Sequence, residues 1–169
     1  MRKKIEKKYY RLFTGELSAT IVFAAIWIMF LMRKSEINAF LTSYYSVYAF
    51  VLLEFVLLQG SLYWYLKLKQ ARKNSFSKLP DSTLRVFNIY KKLNLILFII
   101  GAILLIIQVV TLRTEIFWYT VIYIFALIEY VNYFYIRLSY LSPEEMKEFR
   151  QLKGFKASKL AKELKDLKL

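Results

Sequence analysis

Six side chains in this chain combine chemical capability with an unusual setting: Glu54, Gln108, Glu129, Asn132, Tyr133 and Arg137. The two glutamates stand inside runs that are otherwise apolar and aromatic, VLLEFVLLQ from Val51 to Gln59 and ALIEYVNYFYIR from Ala126 to Arg137. An acidic side chain at the centre of a membrane span costs about 2.5–3.5 kcal/mol on insertion scales. Each carboxyl is therefore expected to face other helices and to be protonated, hydrogen-bonded or paired. Such groups mark ion and proton paths, and they also serve as interhelical hydrogen bonds. Both uses stay open at this point.

Helical spacing suggests how the six would meet. Offsets of three, four, seven and eight return to one face, which gathers Ala126, Glu129, Asn132, Tyr133, Ile136 and Arg137, with Arg137 snorkelling inward past Tyr133. By the same rule Ser43, Val47, Glu54, Ser61 and Tyr65 share a face, with Gln59 and Gly60 off to its side. Asn94, Gly101 and Gln108 recur every seven residues and mark a seam for close helix approach. The expectation is a candidate intramembrane polar or ion site in which Glu129 looks toward Glu54. Tyr130, Tyr133 and Tyr135 read as belt and packing residues. The first apolar run, with Gly15, Ser18, Ala19 and Ala25, reads as a packing helix whose Glu16 pairs with Arg11 or a lipid amine near the inner interface.

The rest of the chemistry is narrow. Cysteine and histidine are absent, which removes disulfides, thiolate and imidazole catalysis, and the usual ligands of zinc, haem and iron–sulfur clusters. There is no phosphate-cradling glycine loop, zinc-protease helix or nucleophile elbow. The two aspartates, Asp81 and Asp166, lie outside the apolar runs and far apart. Ser43 and Ser61 have no basic partner in sight. No enzyme activity, cofactor or metal is expected.

The elements that position these groups follow from composition. Of 169 residues 58% are hydrophobic and 18% aromatic, while the net charge is +14. A membrane protein sorts such a mixture into lipid-facing helices and charged loops. Four apolar runs, about 12–32, 39–66, 93–112 and 116–136, are long enough to cross a hydrocarbon core of roughly 30 Å. Their short connectors, Arg33 to Asn38 and Arg113 to Glu115, predict two antiparallel hairpins. The fold class is thus all-α: a polytopic membrane protein whose domain covers residues 1–140, with a basic amphipathic cytoplasmic tail over 141–169. The first run ends in Met32-Arg33-Lys34 without a small-x-small site, so it is expected to stay uncleaved.

Orientation comes from the cations. Six of the 26 Lys and Arg residues precede the first run, eight lie between Lys67 and Lys92, and nine follow from Arg137 onward. Only Arg33, Lys34 and Arg113 fall on the other side. The positive-inside rule then places the N- and C-terminal segments in the cytoplasm, in a cell membrane. Tyr44, Tyr45, Trp118 and Tyr119 are expected at the outer interface, and Tyr9, Tyr10, Tyr63, Trp64, Tyr65 and Tyr140 at the inner one. Ser142-Pro143-Glu144-Glu145 starts a tail helix, in which Leu160, Leu164 and Leu167 line an apolar face among lysines. Such a helix lies along the inner surface or docks a partner. Asp81 or Ser82 would cap an amphipathic helix leading into the third run.

A shift of 75 residues places Glu54 on Glu129, Tyr48 on Tyr123 and Phe23 on Phe98, the pattern a parallel duplication would leave. The basic segments point to anionic inner-leaflet lipid as a partner, and nucleic acid is not expected because no fold signature for it occurs. A protein partner at the tail and assembly with further copies remain open. Two functions fit: a non-catalytic accessory, envelope-stress or immunity-type membrane factor of a bacterium, or a small oligomeric transporter or channel using Glu54 and Glu129 for protons or cations.

Overall fold

The computed structural model describes residues 2–33, 37–111, 116–137 and 156–167. The expected tail-helix start at Ser142 falls outside them, as do Tyr140 and Arg113. Among the described residues six helices follow in order: α1 (Arg2–Met32), α2 (Ile37–Leu41), α3 (Tyr44–Arg72), α4 (Asp81–Val110), α5 (Ile116–Phe134) and α6 (Lys159–Lys165). Among the described residues no strand occurs, and a single antiparallel bridge joins Ile136 to Ala157. The protein is all-helical, and four helices, α1, α3, α4 and α5, are long and apolar enough to cross a membrane. Both prolines, Pro80 and Pro143, lie outside these four, so nothing in the long helices removes a backbone donor or forces a kink.

Helix ends depart from the sequence reading where polar side chains compete for the backbone. The second apolar run is interrupted, because Ser43 caps α3 and its hydroxyl accepts the amide of Ser46 at 3.2 Å. Ser43 is therefore a cap and not a member of an α3 face. At the far end of α3, Asn74 adopts φ 60, the left-handed geometry that asparagine tolerates at a helix terminus. Pro80, not Asp81 or Ser82, occupies the N-cap of α4. Asp81 instead pairs with Lys78 at 2.8 Å.

Packing is organised around α3, half of whose apolar stretch is buried against 6% of that of α1. Rings pair Tyr9 with Trp64 and Phe13 with Tyr65 toward one end of α1 and α3, and Trp27 with Phe50 toward the other. Between α4 and α5 the link is a ladder of tyrosines. Tyr119, Tyr123 and Tyr130 donate to the carbonyls of Gly101, Phe98 and Lys91 at 2.6, 2.7 and 3.0 Å. Tyr48 of α3 adds a fourth rung at Leu97. A phenol that packs its ring and satisfies its hydroxyl on a neighbouring helix suits a setting without water; interhelical polar contacts there average about 0.6 kcal/mol. Tyr119 is accordingly 0% exposed, an interior strut rather than the interface marker its sequence position suggested. Tyr63, expected at the inner interface, is likewise buried.

The Asn94–Gly101–Gln108 seam is the buried face of α4. Gly101 admits the Tyr123 ring, since a Cβ there would come within 3.0 Å of Cε2. Asn94 and Gln59 of α3 exchange amide hydrogen bonds at 2.7 and 3.2 Å. The buried face of α3 therefore runs through Gln59 and Gly60, while Val47 and Tyr65 are exposed. The outside of the bundle is apolar, with Ile21, Ile28, Ile96, Ile106 and Val121 exposed, as expected of helices solvated by lipid chains.

Candidate functional site

Three basic segments distant in sequence meet at one end of the bundle. The first turns of α1 reach the end of α3, where Glu6 faces Arg72 at 3.5 Å across an exposed, weak pair. The last turns of α3 meet α6 through a buried ion pair, Lys67 Nζ to Glu163 Oε1 at 3.0 Å, with exposures of 1% and 9%. Burial of two charges is tolerated only where further hydrogen bonds complete both groups, and here they do. Lys67 also donates to the Ser77 carbonyl at 2.8 Å and to Gln70 at 3.1 Å, while Glu163 Oε2 accepts the Leu79 amide at 3.2 Å.

The α6 segment is anchored a second time. The Arg137 amide donates to the Lys156 carbonyl and the Ser158 amide to that of Tyr135. The Ser158 hydroxyl donates to the Tyr133 carbonyl and caps α6 by accepting from Ala161. Leu160 and Leu167 are buried in the same core as Leu57 and Phe87. The apolar face foreseen for the tail is thus packed against the helices of its own chain.

Between these elements lies a cavity of about 290 Å³, walled by α1, α3, α5 and the α6 segment. At its polar end Tyr133 donates its hydroxyl to Glu16 of α1. Glu129 stands near the same hydroxyl and accepts from Asn132 at 3.2 Å. Tyr133 reaches α1 because Gly60 leaves room: a Cβ at residue 60 would fall within 3.0 Å of the phenol ring. Arg137, Lys8 and Lys159 also line the cavity. Lys159 sits 4.4 Å above the Tyr9 ring and donates to its hydroxyl. Burial pulls the Lys159 ammonium below its ordinary 10.5, Glu163 works against that shift, and Lys8 adds to it.

Of the six residues singled out in sequence, four are gathered here: Glu129, Asn132, Tyr133 and Arg137. Glu54 is not among them. Tyr45 meets Tyr119 and Gly60 meets Tyr133, offsets of 74 and 73, so Glu54 and Glu129 lie at one level on parallel neighbours. Even so, Glu54 is half-buried and its Oε1 has no hydrogen-bond partner among the described residues. Gln108 lies seventeen residues along α4 from Lys91, the level of Tyr130, or roughly 25 Å away at 1.5 Å per residue. It is fully buried, with both amide atoms unpartnered among the described residues.

Sequence reasoning placed Glu16 with Arg11 or lipid, whereas Tyr133 takes it. The signal was available: Tyr9, Phe13, Glu16, Thr20, Phe23 and Trp27 alternate steps of four and three, the seam spacing of packed helices. Gly60, Ser158 and Lys159 carried no comparable signal. Among the described residues no three carboxylates converge as a metal site would require. No protein-family model, curated protein or solved structure matches the chain. The cavity's own chemistry carries the functional argument.

Proposed function

We propose that this chain is a non-catalytic, multi-pass protein of a cell membrane, threaded as two antiparallel hairpins with its N- and C-terminal segments in the cytoplasm, and that it acts as an accessory, envelope-stress or immunity-type factor. One observation carries the reading: the N-terminal turns, the end of α3 with the connector that follows it, and the α6 segment, each rich in Lys and Arg, converge on one end of the bundle through Glu6–Arg72, Lys67–Glu163 and Leu79–Glu163. Positive-inside sorting would deliver all three to one compartment. Interior polar groups such as Gln59, Asn94 and the α5 tyrosines are engaged between helices, as suits a rigid scaffold. The outward side of α6, with Lys162 and Lys165 exposed, offers a cationic surface to a protein partner or anionic lipid.

The experiment is a set of reporter fusions combined with a pulldown. Reporters after Met32 and Leu112 should read as external and one after Asn74 as cytoplasmic; a cytoplasmic signal at Met32 overturns the threading. Native membranes solubilised gently should yield a co-purifying protein that is lost with Lys162→Glu/Lys165→Glu. An unchanged set of companions removes the accessory role at α6.

A second reading, proton- or cation-coupled transport, has one observation in its favour: carboxyls of two helices, Glu16 and Glu129, flank one hydroxyl, Tyr133. Flux into proteoliposomes that survives Glu16→Gln/Glu129→Gln would remove it.

A further inference from the structure

We infer that the outward face of α3 around Glu54 is a docking surface for a second copy of this chain, the two Glu54 carboxyls hydrogen-bonding to each other across a two-fold axis along the membrane normal. The inference rests on the membrane reading above and assigns a partner to a face of the bundle that the reading leaves open.

Glu54 stands apart from its polar neighbours on α3. Tyr48 donates to the Leu97 carbonyl and Gln59 exchanges hydrogen bonds with Asn94, both toward α4. Phe50 stacks on Trp27 of α1, and Phe55 meets Tyr90 of α4. At about 100° per residue, Glu54 then falls on the arc of α3 left between those two helices. That arc is open. Val51 and Leu58, three residues before and four after, are 58% and 50% exposed, as much as Ile21 on the outside of α1 at 60%. Together with Val47, Leu62 and Tyr65 they recur at steps of three, four and seven, the seam spacing of packed helices. Glu54 lies eleven residues from Ser43 and thirteen from Lys67, or roughly 17 and 20 Å along the axis. At that depth neither water nor headgroups supply a hydrogen bond.

A carboxyl in mid-membrane needs a partner, and Oε1 of Glu54 has none among the described residues. A second copy threaded in the same sense supplies one at the matching depth, because an isologous contact sets residue 54 opposite residue 54. In its neutral form a carboxyl donates and accepts at once. Two such groups complete each other, whereas two ionised ones would repel. Between Tyr44 and Leu66 the helix carries no other charge, so a different protein would have to present a donor at this one level against an otherwise apolar surface. The self-contact needs nothing beyond this chain. Helices associate in lipid through side-chain packing and interhelical hydrogen bonds, and this face offers both.

The chain holds no cysteine, so one introduced on this face reports on it alone. Val51→Cys and Leu58→Cys are made singly in the full chain, which is reconstituted at high lipid-to-protein ratio in phosphatidylcholine vesicles and oxidised with copper phenanthroline. At least one of the two should give a disulfide-linked dimer, since the bond requires Cα atoms within about 7 Å. Ile21→Cys on α1 and Ile103→Cys on α4, exposed elsewhere on the bundle, should crosslink at least fivefold less. No dimer at either α3 position, or equal yield at all four, overturns the surface whatever the other variants do. Glu54→Leu added to the crosslinking variant should lower the dimer yield at least fivefold. Glu54→Gln should retain it, because an amide also donates and accepts. Undiminished yield with Leu, or a loss with Gln as deep as with Leu, overturns the carboxyl pair. In native membranes, a crosslinked product of a mass other than twice the chain replaces the second copy by another protein and overturns the proposal. Crosslinking does not read which side the termini occupy, so failure here is distinct from failure of the reporter fusions.

Discussion

The ring of Tyr133 on α5 occupies the place where Gly60 on α3 would otherwise carry a side chain. That exchange of volume lets the phenol pass α3 and reach Glu16 on α1, tying three helices at one point. Gly60→Ala should destabilise the protein by about 1–3 kcal/mol through overpacking. Gly15 is the internal control, because no atom lies within 4 Å of a Cβ there. Gly15→Ala should be neutral or stabilising by about 0.5–1 kcal/mol. Thermal unfolding in detergent compares the two, and equal effects would remove the packing role of Gly60.

The Gln59–Asn94 amide pair predicts a non-additive cycle. Gln59→Leu alone strands the buried Asn94 amide and should cost about 1–3 kcal/mol. Gln59→Leu/Asn94→Leu removes both polar groups and should recover most of that loss. Unfolding midpoints of the four proteins settle the cycle; simple additivity would mean that the two amides do not depend on each other.

The Lys67–Glu163 pair should behave as a latch. Glu163→Ala leaves Lys67 buried without its counter-ion, a change of about 3–5 kcal/mol for pairs of this kind. Because α6 contributes one short helix to the core, the loss should appear as release of the tail rather than collapse of the bundle. Limited proteolysis should then cut near Lys159 with the four long helices intact. Continued protection of Lys159 would show that Ser158 and Leu160 suffice to hold α6.

Lys159 gives the pH dependence its sign. Its ammonium is pulled down when docked, so the undocked segment binds more protons between that lowered value and 10.5. Docking should therefore strengthen as pH rises through this window and be weakest below it. The facing groups are Lys8 and Tyr9 of α1, Arg137 after α5, and Glu163 on α6 itself. In NMR of dimethylated lysines, Lys159 should titrate below the ordinary value of such a group. A midpoint at that ordinary value contradicts the burial of Lys159.

Much of this architecture was legible because it depends on periodicity and charge. The seam of Asn94, Gly101 and Gln108 was visible as a spacing of seven, and α4 buries all three. What the spacing could not supply was register between helices. A one-residue difference in how α3 meets α5 decides whether Tyr133 finds a glycine or a glutamine, so Gly60 looked incidental beside Glu54. The face assigned to Glu54 was displaced for the same reason, since Gln59 and Gly60 turn inward. The α6 anchors were hidden differently: Ser158 and Glu163 act on backbone groups of Tyr133 and Leu79, which leave no trace in residue type. The spacing of Glu129, Asn132 and Tyr133 was visible because it depends on a single helix, whereas Ile136 and Arg137, expected on the same face, lie beyond the end of α5 at Phe134.

Tyr9 and Lys159 touch across 150 positions of chain, with four long helices between them. Closing so wide a gap carries an entropic toll that is settled late in maturation, after neighbouring segments have found each other. Lodging in the bilayer and completing the pocket are then separate events in time. A freshly inserted molecule can be fully embedded yet still immature, and a protease that senses a loose tail would be able to tell the two forms apart.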